Sequence, residues 1–234
     1  LFSDNALNSD SMHELDVRDL HLTTEIVYGT LRWQSMLDYV LTSACSRPWD
    51  KVDPGVRILL RMSLYQMWRM DRIPEYALVN DAVELAKKYL GKGIDGFING
   101  ILRRLTRTHP WRNEAFLKQA PPWIRVSLPE WLWQRWASRY GEGCAQDFAL
   151  SLNAHPQTAI RFLDNSELPA SVLPGVQRSD LVPGAYVRES GAAMPPGEGS
   201  GASGFHYQDE ASQLIPHLLH VQPGWKIWEV CAAP

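Results

Sequence analysis

Cysteine is scarce in this sequence of 234 residues, with only Cys45, Cys144 and Cys231, which lie far apart. They form no CxxC pair, which argues against a disulfide framework or a zinc site and favours a reducing, cytoplasmic compartment. His217 and His220 could share a helix face, but the sequence offers no third ligand near them. We therefore expect no bound metal.

Long apolar runs are absent as well. No stretch reaches the roughly 18 apolar residues that a transmembrane helix needs, so we expect no membrane partner. Residues 1–11 lack the basic patch and apolar core of a signal peptide. The chain begins with Leu1 instead of Met, which suggests a cut or processed N-terminus.

The basic excess that is usual in nucleic-acid-binding domains is also missing. The chain has 23 Lys and Arg against 26 Asp and Glu, a net charge of −3. Composition alone therefore does not favour a nucleic-acid partner. Any RNA binding must come from a local basic patch.

The first half of the chain has the apolar rhythm of helices. Residues 54–70 and 94–107 repeat apolar side chains at i, i+3, i+4 and i+7. Asp53 is predicted to cap the first of these helices, with Pro54 at its first position. Short loops between one-faced helices predict a compact all-α bundle. Further helices are predicted over residues 17–31 (interrupted by Gly29), 33–45, and 74–90 (stopped by Gly91).

The second half changes character. Residues 110–122 are rich in Pro and Trp and indicate a boundary. A helix over residues 130–140, ended by Gly141, follows them. After Asn153 the pattern is mixed α/β, and strands are predicted on both sides of a Pro-Gly turn. These strands cover residues 158–163, 181–182 and 185–187.

A segment rich in Gly, Pro and Ser spans residues 191–204. Gly199, Gly201 and Gly204 have the GxGxxG spacing of a dinucleotide-binding loop. That motif needs a buried strand before it, and the residues MPPGE that precede it are not a strand. We therefore interpret the segment as a flexible linker.

The end of the chain is typical of the opening of a doubly wound α/β sheet. A predicted helix over residues 207–220 leads to a Pro-Gly turn, a buried strand over residues 226–231, and the small residues Cys231, Ala232, Ala233 and Pro234. In such sheets the ligand lies beyond the carboxyl end of the first strand, where small residues let the backbone approach it. An ordinary strand-to-turn junction explains the same residues equally well.

Several motifs, in order, carry a resemblance to one family. YQDEASQLIPHLL followed by QPGWKIWEVCAAP is similar to the signature of the RsmB (Sun/Fmu, NSUN-type) RNA cytosine-C5 methyltransferases, in which CAAP continues into GGKT. VYGTLRW, the segment from RILLRMSLYQMWR to AVELAKK, and GFINGILRRL resemble the NusB-like RNA-binding domain of that family. LPEWLWQRWASRYG and HPQTAIRFL resemble its connecting segment. The resemblance runs from about Asp19 to Pro234.

The resemblance implies a mainly α fold with an α/β part, in three pieces. Residues 1–120 are expected to form a NusB-like helical bundle, 121–203 a small α+β connecting subdomain, and 204–234 the truncated start of a Rossmann-like methyltransferase domain. The implied activity is transfer of a methyl group from S-adenosyl-L-methionine to C5 of a cytosine in ribosomal RNA, with 16S rRNA as the default. The oligomeric state is left open.

The resemblance also implies how the chemistry is divided. In the family a cysteine thiolate attacks C6 of the cytosine, and C5 takes the methyl group. A base then removes the C5 proton and the cysteine leaves. That cysteine lies beyond the cofactor loop, so no catalytic residue is assigned in this chain. We expect the chain by itself to be inactive. By resemblance, Cys231, Ala232, Ala233 and Pro234 belong to the cofactor loop.

RNA-contacting residues are predicted from local charge. Arg103, Arg104 and Arg107 cluster at the end of a helix, where they could bind phosphates or only stabilise the helix dipole. Arg161 could contact RNA or pair with a carboxylate. Where the family often has RVN, this chain has Arg161-Phe162-Leu163, and it has Glu229 in place of the usual Asp.

Other residues are interpreted as structural. Trp33, Trp68 and Trp131 occupy helical apolar positions typical of a core. Asp209 and Glu210 are interpreted as helix-capping acids in preference to catalytic carboxylates. Cys45 is expected to be buried and inert, and Cys144 has no base near it in sequence.

Two other functions compete with the RNA methyltransferase. One is a non-catalytic NusB-like RNA-binding module, which the CAAP strand disfavours. The other is a methyltransferase that acts on protein, which the NusB-like front end disfavours.

Overall fold

The computed structural model divides the chain into two compact units, Leu1–Ala154 and His155–Pro234. It describes residues 3–9, 12, 14–70, 73–91, 93–154, 157–162, 175–188, 205–228 and 230. The helices that follow the Pro- and Trp-rich segment thus belong to the same compact unit as those before it. The division at residues 120 and 203 stays a prediction.

The first unit is helical. Its α-helices are α1 (Ser3–Leu7), α2 (Val17–Arg32), α3 (Gln34–Ala44), α4 (Pro54–Arg69), α5 (Glu75–Tyr89), α6 (Ile94–Thr108), α7 (Glu114–Lys118), α8 (Pro122–Arg125), α9 (Glu130–Tyr140) and α10 (Glu142–Asn153). Short 3₁₀ turns lie at Trp49–Lys51 and Pro110–Arg112. The helices predicted from the sequence for this unit are confirmed to within about two residues, the usual uncertainty of helix ends.

The cap and the apolar stripe of helix α4 explain why its position could be predicted from the sequence. The Asp53 side chain accepts hydrogen bonds from the backbone N–H groups of Gly55 (2.8 Å) and Val56 (3.3 Å), as the predicted cap requires. The apolar stripe of α4 then enters one continuous core with α3, α5 and α6. Fully buried members of that core include Leu37, Leu41, Leu60, Leu64, Ile98 and Leu102.

Gly29 does not interrupt its helix, which corrects one prediction. Helix α2 continues through Gly29, which is buried. A Cβ atom placed there would lie 1.9 Å from Cζ of Tyr65 on α4. Glycine is needed because the Tyr65 ring packs against the α2 backbone, and this close contact offsets the low helix propensity of glycine.

A second, smaller core forms between α9 and α10. It consists of Val126, Leu128, Trp133, Ala145 and Ala149, all buried. Trp131 was predicted to be a core residue and is instead 64% exposed. The buried face of the short helix α9 is supplied by Trp133, two positions away and therefore on the opposite side of the helix.

Trp33 and Trp68 pack against the main core, as predicted, although both stay partly exposed. Cys45 also packs there, as the C-cap of α3, but it is half-buried where full burial was expected. The whole helix α3 is joined to α4 by a two-pronged ion pair. In that pair Nε and Nη2 of Arg61 donate to the Asp38 carboxylate at 2.6 and 2.7 Å.

The second unit contains a four-stranded antiparallel sheet. The strands are β1 (Thr158–Phe162), β2 (Val176–Arg178), β3 (Ala185–Arg188) and β4 (Phe205–Tyr207), in the order β2-β3-β1-β4. Ile160 faces Tyr186 on β3 and Tyr207 on β4. Ile160, Tyr186 and Phe205 form a small core, completed by Phe162 and Val176.

The predictions for β1 and β3 are confirmed within the described residues, but that for residues 181–182 is wrong. These residues form the bend before the Pro183-Gly184 turn, where their N–H groups donate to Oγ of Ser179 at 3.0 Å. A serine-held turn satisfies the backbone locally, so it does not join the sheet. Strands β2 and β4 were not predicted, since three residues are too few to show an alternating pattern. The predicted linker over residues 191–204 lies outside the described residues.

Helix α11 (Glu210–Leu218) begins later than predicted because Tyr207 ends β4. Asp209 caps it, accepting from the N–H of Ala211 at 2.8 Å, which confirms its structural role. Glu210 accepts a hydrogen bond from the Ser179 hydroxyl and so joins the helix to the bend before β3.

The buried strand predicted over residues 226–231 is not found in its described part. Residues 226–228 have no strand conformation, and Trp228 is 87% exposed. A buried strand requires neighbouring strands on both sides, and none of the described strands pairs with these residues. Ile227 and Val230 are exposed as well.

Candidate nucleic-acid interface

The predicted arginine cluster lies on the solvent face of α6. At 3.6 residues per turn, positions 103, 104 and 107 fall within roughly 100° of one another. The opposite face carries the buried residues Ile98, Ile101, Leu102 and Leu105. Burial of that face therefore fixes the direction in which Arg103, Arg104 and Arg107 point, and all three are exposed.

The charges of these arginines are not neutralised within the described part of the chain. Nε of Arg103 donates to Oδ1 of Asn99 at 2.8 Å, one turn earlier. Nε of Arg107 donates to the backbone oxygen of Arg103 at 3.3 Å. Among the described residues no carboxylate forms a salt bridge with any of the three. Their terminal amino groups remain available to an external anion.

The same face of α6 also carries two exposed glycines. Gly96 and Gly100 lie there, and no described atom beyond the adjoining residues and the backbone of α6 comes within 4 Å of the place where either Cβ would be. Glycine in an exposed helix costs about 1 kcal/mol relative to alanine, so each weakens the helix without improving its packing. Because these two positions have no side chains, another molecule can approach the helix backbone there closely.

A fourth arginine, which the sequence analysis did not single out, extends this surface. Arg47 follows α3, and its guanidinium lies 4.9 Å from the ring centre of Phe97 on α6. Phe97 and Arg104 are seven positions apart, two turns along one side of the helix. No periodicity links Arg47 to α6, so only the folded chain brings them together. We call Arg47, Arg103, Arg104 and Arg107 the α6 basic surface.

Arg161 lies in the other unit, on β1, and is exposed. Its Nη1 donates to the side-chain oxygen of Gln208 at 3.4 Å. No described carboxylate forms a salt bridge with it, so the alternative of carboxylate pairing has no support in the described residues. The ring centre of Phe162, the next residue, lies 5.1 Å from that of Tyr186.

The predicted cofactor residues Cys231, Ala232, Ala233 and Pro234 lie outside the described residues, as does Glu229. Of the described cysteines, Cys144 is exposed on α10 and Cys45 is half-buried. In the part of the chain that the structure describes, no group of three or more His, Cys, Asp or Glu side chains is placed to hold a metal ion. No described helix is both long and apolar enough to cross a membrane.

Comparison with known proteins defines the class of the chain. A model of the NusB family matches residues 1–107, which include α2 to α6 almost entirely. The transcription antitermination protein NusB of Aeromonas salmonicida (strain A449) is 31% identical over 38% of this chain and 66% of its own length. The crystal structure of PH0851 superposes with a TM-score of 0.60 at 21% identity, covering 92% of this chain and 50% of that one. The chain therefore has a NusB domain followed by a small α/β unit.

More particularly, the chain is a homologue of the proteins named ribosomal RNA small subunit methyltransferase B, and the resemblance predicted from its motifs is confirmed. The probable enzyme of that name from Bacillus subtilis (strain 168) is 33% identical over 95% of this chain. The Pseudomonas putida (strain KT2440) protein is 29% identical over 98% of it. The chain spans about half the length of these relatives, 51% and 54% respectively.

Proposed function

We propose that this protein methylates C5 of a cytosine in ribosomal RNA, with 16S rRNA of the small subunit as substrate and S-adenosyl-L-methionine as methyl donor. The proposal rests on the similarity of the chain to proteins named ribosomal RNA small subunit methyltransferase B, which extends over 95–98% of its residues. Residues 1–234 correspond to about half of those relatives. Their part is to bind RNA and to begin the cofactor domain, and alone they are inactive in methyl transfer.

The α6 basic surface supports the RNA-binding part of the proposal. Phosphate contacts provide most of the affinity of proteins for nucleic acid, and guanidinium groups bind phosphates in a two-pronged geometry. Four arginines without a described carboxylate partner form such a surface on a chain of net charge −3. The open backbone at Gly96 and Gly100 lets an RNA strand approach the helix between them.

The catalytic part of the proposal rests on resemblance alone. A cysteine thiolate outside the sequence matched here attacks the cytosine, and S-adenosyl-L-methionine supplies the methyl group when bound. Cys231, Ala232, Ala233 and Pro234 are proposed to touch that cofactor. The described residues just before them, 225–228, are exposed and are not in a strand.

The direct test is genetic. The gene is disrupted in the source organism, and 5-methylcytosine is mapped in small-subunit rRNA by bisulfite sequencing. We expect one methylated cytosine to disappear and to return with the intact gene, but not with a copy limited to these 234 codons. An unchanged methylation map in the disrupted strain overturns the proposal, and rescue by the 234 codons alone overturns the predicted inactivity of this part.

A non-catalytic RNA-binding module is the second candidate function. The match of residues 1–107 to the NusB family and the similarity to a NusB protein favour it. It shares the RNA-binding part of the proposal and differs only in the methylation result. An unchanged methylation map together with RNA binding by the purified chain is the outcome that this alternative predicts.

A further inference from the structure

A second group of cations lies where α2 and α4 end. Arg32 is the last residue of α2, and Arg69 is the last residue of α4. Both lie near Tyr65: burial raises the pKa of the Tyr65 hydroxyl well above its ordinary value, and the two guanidinium groups partly oppose that effect. The motifs VYGTLRW and LYQMWR therefore meet in space, although about 30 residues separate them in sequence.

Two tryptophans orient Arg69. Its guanidinium carbon lies 3.9 Å from the ring centre of Trp33 and 4.5 Å from that of Trp68. The two ring centres are 6.3 Å apart, with an angle of 50° between their planes. A guanidinium held against aromatic faces keeps its N–H donors at its edge, where they remain free to form hydrogen bonds.

Those donors have no described partner. Neither Arg32 nor Arg69 forms a salt bridge within the part of the chain that the structure describes. The nearby carboxylate of Glu25 accepts a hydrogen bond from the Tyr65 hydroxyl. Cations are favoured at helix C-termini, yet among the described residues neither guanidinium donates a hydrogen bond to a terminal carbonyl. The helix dipoles explain why positive charge is found at these helix ends, but the N–H groups of the two guanidinium groups still have no described acceptor.

The ends of the two helices are held together firmly. The Tyr65 ring occupies the space left by the absent side chain of Gly29, and its hydroxyl is bonded to α2 through Glu25. Trp33 and Trp68 pack against the main core from the same helix ends. The position of Arg69 is thus fixed by its surroundings before any ligand arrives, which lowers the entropy lost on binding.

We propose that Arg69, oriented by Trp33 and Trp68 and assisted by Arg32, binds a phosphate of the RNA backbone and forms a second contact in addition to the α6 basic surface. This inference rests on the proposed RNA-binding function. Planar guanidinium forks match phosphate oxygens, whereas a lysine ammonium acts only as a point charge. The site is therefore specific for arginine at position 69.

The test measures binding of the full 234-residue chain to a transcript of the small-subunit rRNA from the source organism. Arg69→Met should weaken binding about tenfold or more, as expected for loss of a hydrogen-bonded charge pair. Arg69→Lys keeps the charge and should recover only a minor part of the affinity. Arg32→Gln should weaken binding less. The salt dependence of binding should fall by about one phosphate contact in Arg69→Met.

Arg139→Met is the matched control. Arg139 is also in the last turn of its helix and also lies over an aromatic ring, 5.4 Å from the centre of Tyr140. Its replacement should leave RNA binding unchanged. If Arg69→Met does not fold, as judged by its thermal transition, Arg69→Lys and Arg32→Gln decide the question.

The outcomes separate the two proposals. If the wild-type chain binds the transcript and both Arg69 variants and Arg32→Gln bind equally well, this inference is wrong and the proposed function stands. If Arg69→Lys alone binds with wild-type affinity, a point charge at position 69 suffices. The proposal of a phosphate site specific for a guanidinium group is then wrong. If the wild-type chain does not bind the transcript, the RNA-binding function and this inference both fall.

Discussion

At the scale of single residues, the contact between Gly29 and Tyr65 controls how closely α2 approaches α4. Gly29→Ala places a methyl group 1.9 Å from Cζ of the buried Tyr65 ring, so the ring or the helix must move. We expect the free energy of unfolding to fall by about 1–3 kcal/mol, the usual cost of overpacking. Urea denaturation followed by circular dichroism measures this change.

Gly100→Ala is the control for that substitution. Nothing lies within 4 Å of its added methyl group, and the helix around it is exposed. It should stabilise the protein by up to about 1 kcal/mol. Equal effects of the two substitutions would contradict the described packing of Tyr65.

The Tyr65 hydroxyl makes the free energy of unfolding depend on pH in the alkaline range. Burial, and then its hydrogen bond to Glu25, raise its pKa in the folded protein above that of an unfolded tyrosine, about 10. The folded state therefore binds the hydroxyl proton more tightly than the unfolded state. The contribution of this proton to the free energy of unfolding is complete below about pH 10 and is lost as pH rises further. Tyr65→Phe should unfold more easily than wild type at pH 7 by about 1 kcal/mol.

That difference should shrink as pH rises above about 10, because only the wild type must then keep a buried hydroxyl protonated. Tyr76→Phe, at an exposed position on α5, should cost nothing at pH 7. Chemical denaturation at a series of pH values measures the difference. A gap between wild type and Tyr65→Phe that is constant up to pH 11 would contradict the burial of this hydroxyl.

At the scale of elements, the start of α4 depends on its cap. Asp53→Ala removes the acceptor of two backbone N–H groups and should lower the free energy of unfolding by about 1 kcal/mol. Asp53→Ser can still accept such a bond and should lose much less. Thermal melts of the two variants make the comparison, and equal melting temperatures would mean that the cap contributes nothing.

Elements with local signals were predictable, and those without them were not. Asp53, Pro54 and the apolar stripe after them determine α4 within one stretch of sequence. Strand β4 has three residues and exists because Phe205 and Tyr207 pair with β1, more than forty positions away. The same reason explains the failure over residues 226–228, whose apolar pattern has no described strand to pair with.

The candidate site follows the same rule. The direction of Arg103, Arg104 and Arg107 could be predicted from the helical period, because the buried face of α6 leaves only one side for them. The positions of Arg47 over Phe97 and of Arg69 between Trp33 and Trp68 could not. Each depends on the packing of helices that are distant in sequence.

At the scale of the whole molecule, the two units differ in how much core they have. Leu1–Ala154 contains both helical cores, whereas the described part of His155–Pro234 has one small cluster, formed by Ile160, Tyr186 and Phe205. Residues 1–154 produced alone should fold cooperatively with a helical spectrum, since about 150 residues suffice for an independent domain. A non-cooperative thermal transition of this piece would show that its cores depend on the remaining chain.

We propose that this chain binds RNA through the α6 basic surface. The most direct test compares the wild-type chain with a variant in which Arg103, Arg104 and Arg107 are replaced by glutamine. Binding to a small-subunit rRNA transcript is measured over a range of salt concentrations. A control variant carries the same change at the exposed residues Arg125, Arg135 and Arg139. We expect weaker binding, and a salt dependence reduced by up to about three phosphate contacts, for the first variant only. Equal binding and equal salt dependence of the two variants would contradict it.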